Sequence, residues 1–230
     1  MKLSIIVPVY NERNTICQIL DRLQRSGCSE FEWIVVDDGS TDGTTELLQG
    51  RVPTLTHCIL KPINQGKSAA VRSGLEIATG DWVIVQDADL EYDPSEIPKL
   101  LAVAETALPR TVAVYGRRPS CWDKPSRWLF ASGVLGVDCL LLLFYRRWVR
   151  DHASCYKLVP RSILQSFDLN ATGFEGCIEI TAKLMRSQIP ILQVPITYSP
   201  RKTTEGKKLT VGYGPAALRA VWGYRHWRAG

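Results

Sequence analysis

The chain has 230 residues, 45% apolar and 22% charged, a composition that supports a sizeable buried core and excludes a disordered or fibrous protein. Its overall charge of +5 hides a division: nine Lys and Arg against sixteen Asp and Glu up to Pro109, then nineteen against seven, a net −7 and +12. An acidic half suits a divalent cation, and a basic half rich in Trp and Tyr suits phosphates or an anionic membrane surface, so nucleic acid is not expected as a partner.

Leu3 to Val9 is a short apolar, β-branched run, and Ile16, Ile19, Leu20 and Leu23 then recur at helical spacing up to Gly27, which reads as strand then helix. Trp33 to Val36 is a second strand ending in Asp37-Asp38-Gly39; Thr44 to Gln49 reads as a short helix and Leu55 to Leu60 as a third strand. Asn64-Gln-Gly-Lys67 opens a helix through Ala78, and Trp82 to Val85 is a fourth strand running into Gln86-Asp-Ala-Asp89. Pro94 sits in a first helical turn behind Asp93 as N-cap, and Thr111 to Tyr115 is the next strand. Strands alternating with helices of this length predict a mostly parallel α/β sheet covered on both faces, with ligands at the carboxyl ends of its strands.

Trp128 to Tyr145 is a run of 18 residues whose one charge is Asp138, flanked by Arg127 and by Arg146-Arg147. Asp138 near the centre would cost about 2.5–3.5 kcal/mol in a membrane span. At 100° per residue Arg127, Ala131, Asp138 and Tyr145 share one stripe, with Leu129, Gly133, Gly136, Leu140 and Phe144 on the other. The expectation is a helix lying in the membrane interface, with Trp128, Trp148 and the arginines at headgroup level; the alternative is an ordinary buried helix. Glu175 to Arg186 is a further helix, Ile189 to Thr197 a strand marked as an edge by Pro190 and Pro195, Arg201 to Lys208 a polar loop, and the tail from Pro215 a short basic amphipathic helix.

No repeat or low-complexity linker interrupts the chain, so 1–230 reads as a single domain: a nucleotide and metal half, 1–119, and an acceptor and membrane-surface half, 120–230. The seven cysteines are scattered, with no Cys-x-x-Cys pair, which argues against a disulfide framework or zinc ribbon and for reduced thiols. Leu3 to Val9 ends too soon for a signal-peptide core, so a cytoplasmic location is expected.

Tyr10-Asn11-Glu12, Asp37-Asp38-Gly39, Asn64-Gln-Gly-Lys67 and Asp87-Ala-Asp89 all fall at carboxyl ends of predicted strands, which points to one site. Gly, Asn and Asp also make ordinary turns, but no turn requires Asp87 and Asp89 together, since paired carboxylates repel unless a cation or hydrogen bonds offset them. An Asp-x-Asp at a strand end beside an Asp-Asp-Gly-Ser turn points to a nucleoside diphosphate held through a divalent metal.

The strings Ile6-Val-Pro-Val-Tyr-Asn-Glu12, Val35-Val-Asp-Asp-Gly-Ser-Thr-Asp-Gly-Thr44, Asn64-Gln-Gly-Lys67 and Gln86-Asp-Ala-Asp-Leu-Glu91 closely resemble the inverting family 2 glycosyltransferases of GT-A fold. Within them the chain resembles the branch of dolichol-phosphate mannose synthases and polyprenyl-phosphate sugar transferases. Asp151 to Lys157, Gly173 to Glu175, Glu179 to Lys183 and Arg201 to Lys208 extend the likeness to about residue 225. The resemblance implies that Pro8, Tyr10, Glu12 and Asp38 line the base and ribose pocket, with Asn64 and Lys67 near the nucleotide. Asp87, Asp89 and Glu91 would hold Mg²⁺ or Mn²⁺ on the diphosphate. Ser68 stands where the family usually has a second Gly.

A sugar hydroxyl acceptor needs a positioned general base, whereas a lipid monophosphate, with a second pKa of about 6, is largely dianionic at neutral pH and attacks unaided. Cations must then hold it in line, and Arg117, Arg127 and Arg201 lie where the resembling family does this. Asp151 by resemblance orients an arginine or the donor sugar, or else forms a structural ion pair; Asp89, Arg117, Arg201 and Asp151 are the catalytic candidates. His57, His152 and His226 are too scattered for a metal site and read as structural or exposed. The expected activity is metal-dependent inverting transfer of a hexose from a nucleotide-diphosphate sugar, GDP-mannose or UDP-glucose in type, to a polyprenyl phosphate at the inner face of the membrane. The alternatives are transfer to a sugar hydroxyl, with Asp151 or Glu175 as base, and a non-catalytic nucleotide-binding module at the membrane surface.

Overall fold

The computed structural model describes residues 1–51, 56–119, 128–201 and 214–228. Seven strands, β1 (Leu3–Val9), β2 (Glu32–Asp37), β3 (Thr56–Leu60), β4 (Trp82–Val85), β5 (Ala113–Arg117), β6 (Lys157–Pro160) and β7 (Ile191–Pro195), form one sheet in the order β3-β2-β1-β4-β6-β5-β7. β1, β2, β3 and β4 run parallel, β6 pairs antiparallel with both β4 and β5, and β5 pairs parallel with β7. The sheet is thus mostly parallel, and β7 does lie at its edge, where the missing N–H of a proline breaks no ladder.

Alternation along the central strands sorts the core. Ile5, Val7, Trp33, Val35 and Ile84 pack on one face under the helices α1 (Ile16–Arg25) and α4 (Ile97–Thr106). Ile6, Ile34, Val36 and Val83 pack on the other, under α3 (Lys67–Ile77) and α7 (Gly176–Arg186). Strands buried on both faces carry the continuous apolar runs seen here. The short helices α2 (Thr44–Arg51) and α6 (Arg161–Ser166) follow β2 and β6 directly. Before α4, Asp93 caps a 3-10 turn at Pro94–Glu96, its Oδ1 accepting the Ser95 N–H at 3.0 Å.

The apolar run is the helix α5 (Trp128–Tyr145), which packs on α7 and on α8 (Gly214–Gly223). Its inward stripe corrects the sequence reading. Asp138 and Tyr145 point into the protein with Val137 and Leu141, and the Tyr145 hydroxyl donates to the Val221 carbonyl at 2.9 Å. The outward face carries Leu135, Cys139, Leu142 and Leu143, and α8 adds exposed Leu218 and Trp222, the latter edge-on to Phe144. The helix has one face in the core, with Leu140 and Phe144 of the expected outer stripe packed against it, and a leucine-rich face outside. Among the described residues no helix is long and apolar enough to cross a membrane.

The helix pair 179–183 is structural. Glu179 and Lys183, both about 1% exposed, pair at 2.7 Å. Lys183 also donates to the carbonyls of Phe167 and Asp168, and Glu179 accepts the N–H groups of Asn170 and Ala171. Together they hold the 167–171 segment against α7, which brings the loop behind it to the site.

Candidate active site

The carboxyl ends of β1, β2, β3 and β4 bring the four motifs together. Asn11, in the left-handed region at φ +50, receives the Thr41 N–H on Oδ1 at 2.8 Å and gives its own N–H to Ser40 Oγ at 2.9 Å, tying the first motif to the second. The adjacent aspartates divide the work. Asp37 is enclosed by Ser40 and Thr45 and builds the turn. Asp38 faces the cavity, its Oδ2 accepting the N–H groups of Gln65 and Gly66 at 3.1 and 2.7 Å, while Lys61 pairs with it at 2.7 Å. Gly66 sits at φ +96, and a Cβ there would lie 2.5 Å from the Thr172 carbonyl, so the loop needs glycine twice over. Ser68 fits because its hydroxyl bonds the Gly173 carbonyl in the space left by Gly176.

Lys67 starts α3, and its ammonium lies 2.6 Å from Asp87 Oδ1 and 3.4 Å from Cys155 Sγ. Burial alone would lower its pKa, but the Asp87 carboxylate overrides this and the group stays firmly cationic. Asp89 has no such partner. Burial first, then the carboxylates of Asp87 and Glu91, push it up to about 7. A site crowded enough to hold back the charge of one carboxylate is short of positive charge, which is the environment that a divalent cation satisfies. Asp87 and Asp89 therefore fit Mg²⁺ or Mn²⁺, which take one or two carboxylates and complete their shell with phosphate oxygens and water. Glu91 is bound otherwise, its two oxygens accepting the Tyr198 hydroxyl at 2.6 Å and the Arg201 N–H at 2.9 Å.

Those bonds carry the C-terminal half into the site. Arg201 forks onto Glu12 at 2.7 and 3.3 Å and donates from Nε to the Asp89 carbonyl at 2.6 Å, so it spans the first and fourth motifs. At the end of β5 it is Arg118, not Arg117, that lines the cavity. Its guanidinium and N–H hold both oxygens of Asp151 at 2.5–3.2 Å, and it lies 4.9 Å over the Tyr198 ring. Asp151 is thus ion-paired with an arginine that borders the cavity. Neighbouring residues at a strand end diverge, so two adjacent arginines in sequence left open which one enters the site. Arg127 and the 202–208 loop lie outside the described residues.

These groups border one cavity of about 700 Å³. Pro8, Tyr10, Glu12, Asp38, Asn64 and Lys67 line it together with Asp87, Asp89, Glu91, Arg118 and Arg201. Small and apolar residues complete the lining: Gly133, Val134 and Val137 of α5, Ile178 of α7, Ala216 and Ala217 of α8. Glu175 also borders it; burial opposes its charge, yet the N–H groups of Gly173 and Thr172 keep its pKa below the usual range. Tyr92 and Tyr198 also line the cavity and fall in none of the quoted strings, while His152, Cys155 and Phe174 lie inside strings but carry no role at the site from sequence, His152 reading as structural or exposed. Tyr198 had no sequence signal; His152, beside Asp151, had only its position.

Residues 4–166 match the family described as Glycosyl transferase family 2. A dolichol-phosphate mannosyltransferase of Pyrococcus furiosus is 31% identical over 216 residues, covering 90% of this chain and 59% of the relative. An undecaprenyl-phosphate 4-deoxy-4-formamido-L-arabinose transferase of Pseudomonas syringae is 37% identical over 164 residues, covering 64% and 48%. The chain spans roughly half the length of the curated relatives it matches. Among solved structures, glucosyl-3-phosphoglycerate synthase of Mycobacterium tuberculosis, crystallised with Mn²⁺, UDP-glucose and phosphoglyceric acid, superposes with a TM-score of 0.75 at 19% identity. That match covers 100% of this chain and 81% of the other.

Proposed function

The chain belongs to glycosyl transferase family 2, with a fold of GT-A type, and from that premise we propose that it moves a hexose from a nucleotide-diphosphate sugar to a polyprenyl phosphate with inversion. The observation that carries this reading is that one cavity is bordered at once by the Asp38 loop, by Asp87 and Asp89, by Arg118 and Arg201, and by apolar residues of α5. A nucleotide, a diphosphate with its cation, an acceptor phosphate and the first isoprene units would meet these surfaces in that order.

The carboxylates bear on the acceptor. Asp151 is committed to Arg118 through both oxygens, and Glu175 is held through Oε1 by two backbone N–H groups that lower its pKa, which makes it a weak base for the hydroxyl acceptor that would need one. A phosphate acceptor needs cations instead, and Arg118 offers a guanidinium that can grip two oxygens. Asp87 and Asp89 would hold Mg²⁺ or Mn²⁺, which would neutralise the leaving diphosphate. Lys67 stays cationic beside Asp87, and Arg201, fixed on Glu12 and the Asp89 carbonyl, would offer a second guanidinium between donor and acceptor.

Membrane association completes the reading. The exposed leucines of α5, with Leu218 and Trp222 of α8 and the +12 half of the chain, suit a peripheral position on an anionic surface. The six described cysteines are free, which suits the reducing, cytoplasmic side. The test is a panel of nucleotide sugars, GDP-mannose and UDP-glucose included, against undecaprenyl and dolichyl phosphate with Mg²⁺ or Mn²⁺. Transfer that requires metal and yields a lipid phosphosugar is expected. Transfer only to sugar hydroxyls, or metal-dependent nucleotide binding with no transfer, would refute the proposal.

A further inference from the structure

Asp138 is a buried carboxylate in the middle of an apolar helix, a placement that is unfavourable unless its oxygens are satisfied. Three donors converge on it. Oδ2 accepts the Asp151 N–H at 3.0 Å, and Oδ1 accepts the His152 N–H at 3.2 Å and His152 Nδ1 at 2.6 Å. The two backbone bonds fix a turn in which Asp151 takes φ +58. The ring bond is not needed for that turn. It orients an imidazole, because an ionised carboxylate is acceptor-only and therefore assigns the Nδ1 proton.

Nε2 is the nitrogen left over, and no described residue bonds to it. His152 borders the cavity one residue after Asp151, whose carboxylate holds Arg118. A carboxylate at Nδ1 leaves Nε2 as the ring nitrogen that can exchange a proton at the cavity His152 borders. This inference rests on the phosphate-acceptor reading and specifies one of its steps.

We propose that His152, oriented by Asp138, is a catalytic residue on the acceptor side: Nε2 takes the proton of that fraction of the phosphate monoester which arrives as the monoanion, and the imidazolium so formed donates a hydrogen bond to the dianion. One phosphate O–H bond breaks and one Nε2–H bond forms. The electron pair stays on the phosphate oxygen, which becomes the better nucleophile, and Asp138 balances the imidazolium charge. No co-reactant is needed.

Imidazoles and phosphate monoesters are groups that exchange protons readily in water. The charged groups facing the ring are Asp138, bonded to Nδ1, and Asp151, which is paired with Arg118. Lys157 approaches through its ammonium on the His152 carbonyl at 2.7 Å.

The test is kcat/KM for undecaprenyl phosphate between pH 5.5 and 9, with saturating metal and nucleotide sugar, on the intact chain. The wild type should give a bell whose alkaline limb reports loss of the imidazolium proton. His152→Asn keeps an N–H where Nδ1 stood, and with it the Asp138 contact, but has nothing at Nε2. It should lose about ten- to a hundredfold at pH 7, the range of a charge-assisted hydrogen bond, and lose the alkaline limb. Its melting temperature and its KM for the nucleotide sugar should stay near wild type. His152→Gln, which puts a non-titrating amide near the Nε2 position, should also lack the limb while retaining more activity, and it serves if the Asn variant does not fold. Variants that keep the wild-type limb overturn the proposal, as does a wild-type profile that only rises with pH, the mark of a phosphate dianion that attacks with no titrating partner. A wild-type protein that transfers to no polyprenyl phosphate refutes the acceptor reading itself and removes this step with it.

Discussion

Asp89 offers the sharpest quantitative test of the metal site. Its carboxyl is held up to about 7 by burial and by the charges of Asp87 and Glu91, so near neutral pH about half of the metal-free protein carries a proton there. A divalent cation must displace that proton. Below pH 7 the apparent affinity for a preformed Mn²⁺–nucleoside diphosphate complex should therefore fall about tenfold per pH unit, and above pH 7 it should level off. Between pH 8 and pH 5.5 this amounts to about thirtyfold. Calorimetry in two buffers of different ionisation heat should count about 0.9 proton released at pH 6 and about 0.1 at pH 8. The same shift acts on stability. Because folding raises this pKa, the proton on Asp89 stabilises the fold fully below about pH 4, and that contribution fades as pH rises through about 7. Metal-free protein should melt lower at pH 8 than at pH 6. Asp89→Asn should remove that difference while abolishing turnover. Affinity that is flat from pH 5.5 to 8, with no proton released at pH 6, would refute the reasoning and place the cation elsewhere.

Arg118→Lys should lower kcat/KM for the lipid phosphate about ten- to a hundredfold with donor KM little changed, since an ammonium keeps the charge but not the fork on Asp151 or the stacking on Tyr198; steady-state kinetics with each substrate varied would show it. Lys183→Met strands the buried Glu179 carboxylate and should cost about 3–5 kcal/mol, a drop in melting temperature on the order of 10 °C by calorimetric scan. Gly66→Ala forces a Cβ against the Thr172 carbonyl at φ +96, and should destabilise the chain by about 1–3 kcal/mol and weaken nucleotide binding, because the Gly66 N–H is one of the bonds that hold Asp38.

The alternation of β1, β2 and β4 and the turn residues at their carboxyl ends were legible because both are local. A period of two decides which side chains enter the sheet, and Gly, Asn and Asp at a strand end decide how the chain leaves it. Pro8, Tyr10, Glu12, Asp38, Asn64, Lys67, Asp87 and Asp89 stand together for that reason. A parallel sheet puts such ends on one edge whatever follows. Helical period alone misled at α5, since an apolar helix with one acid has two faces that could each turn inward, and only the N–H groups of Asp151 and His152 decided that Asp138 does.

What the tertiary structure alone decided involves pairs far apart along the chain. Arg201 reaches Glu12 across 189 residues and Tyr198 reaches Glu91 across 107. The choice of Arg118 over Arg117 depends on where Asp151 lies, and β6 enters antiparallel between β4 and β5. No local pattern encodes these contacts. Each depends on which distant groups share a low-dielectric space, where a buried charge must find its partner or remain costly, and that is settled only once the sheet and helices have closed around it.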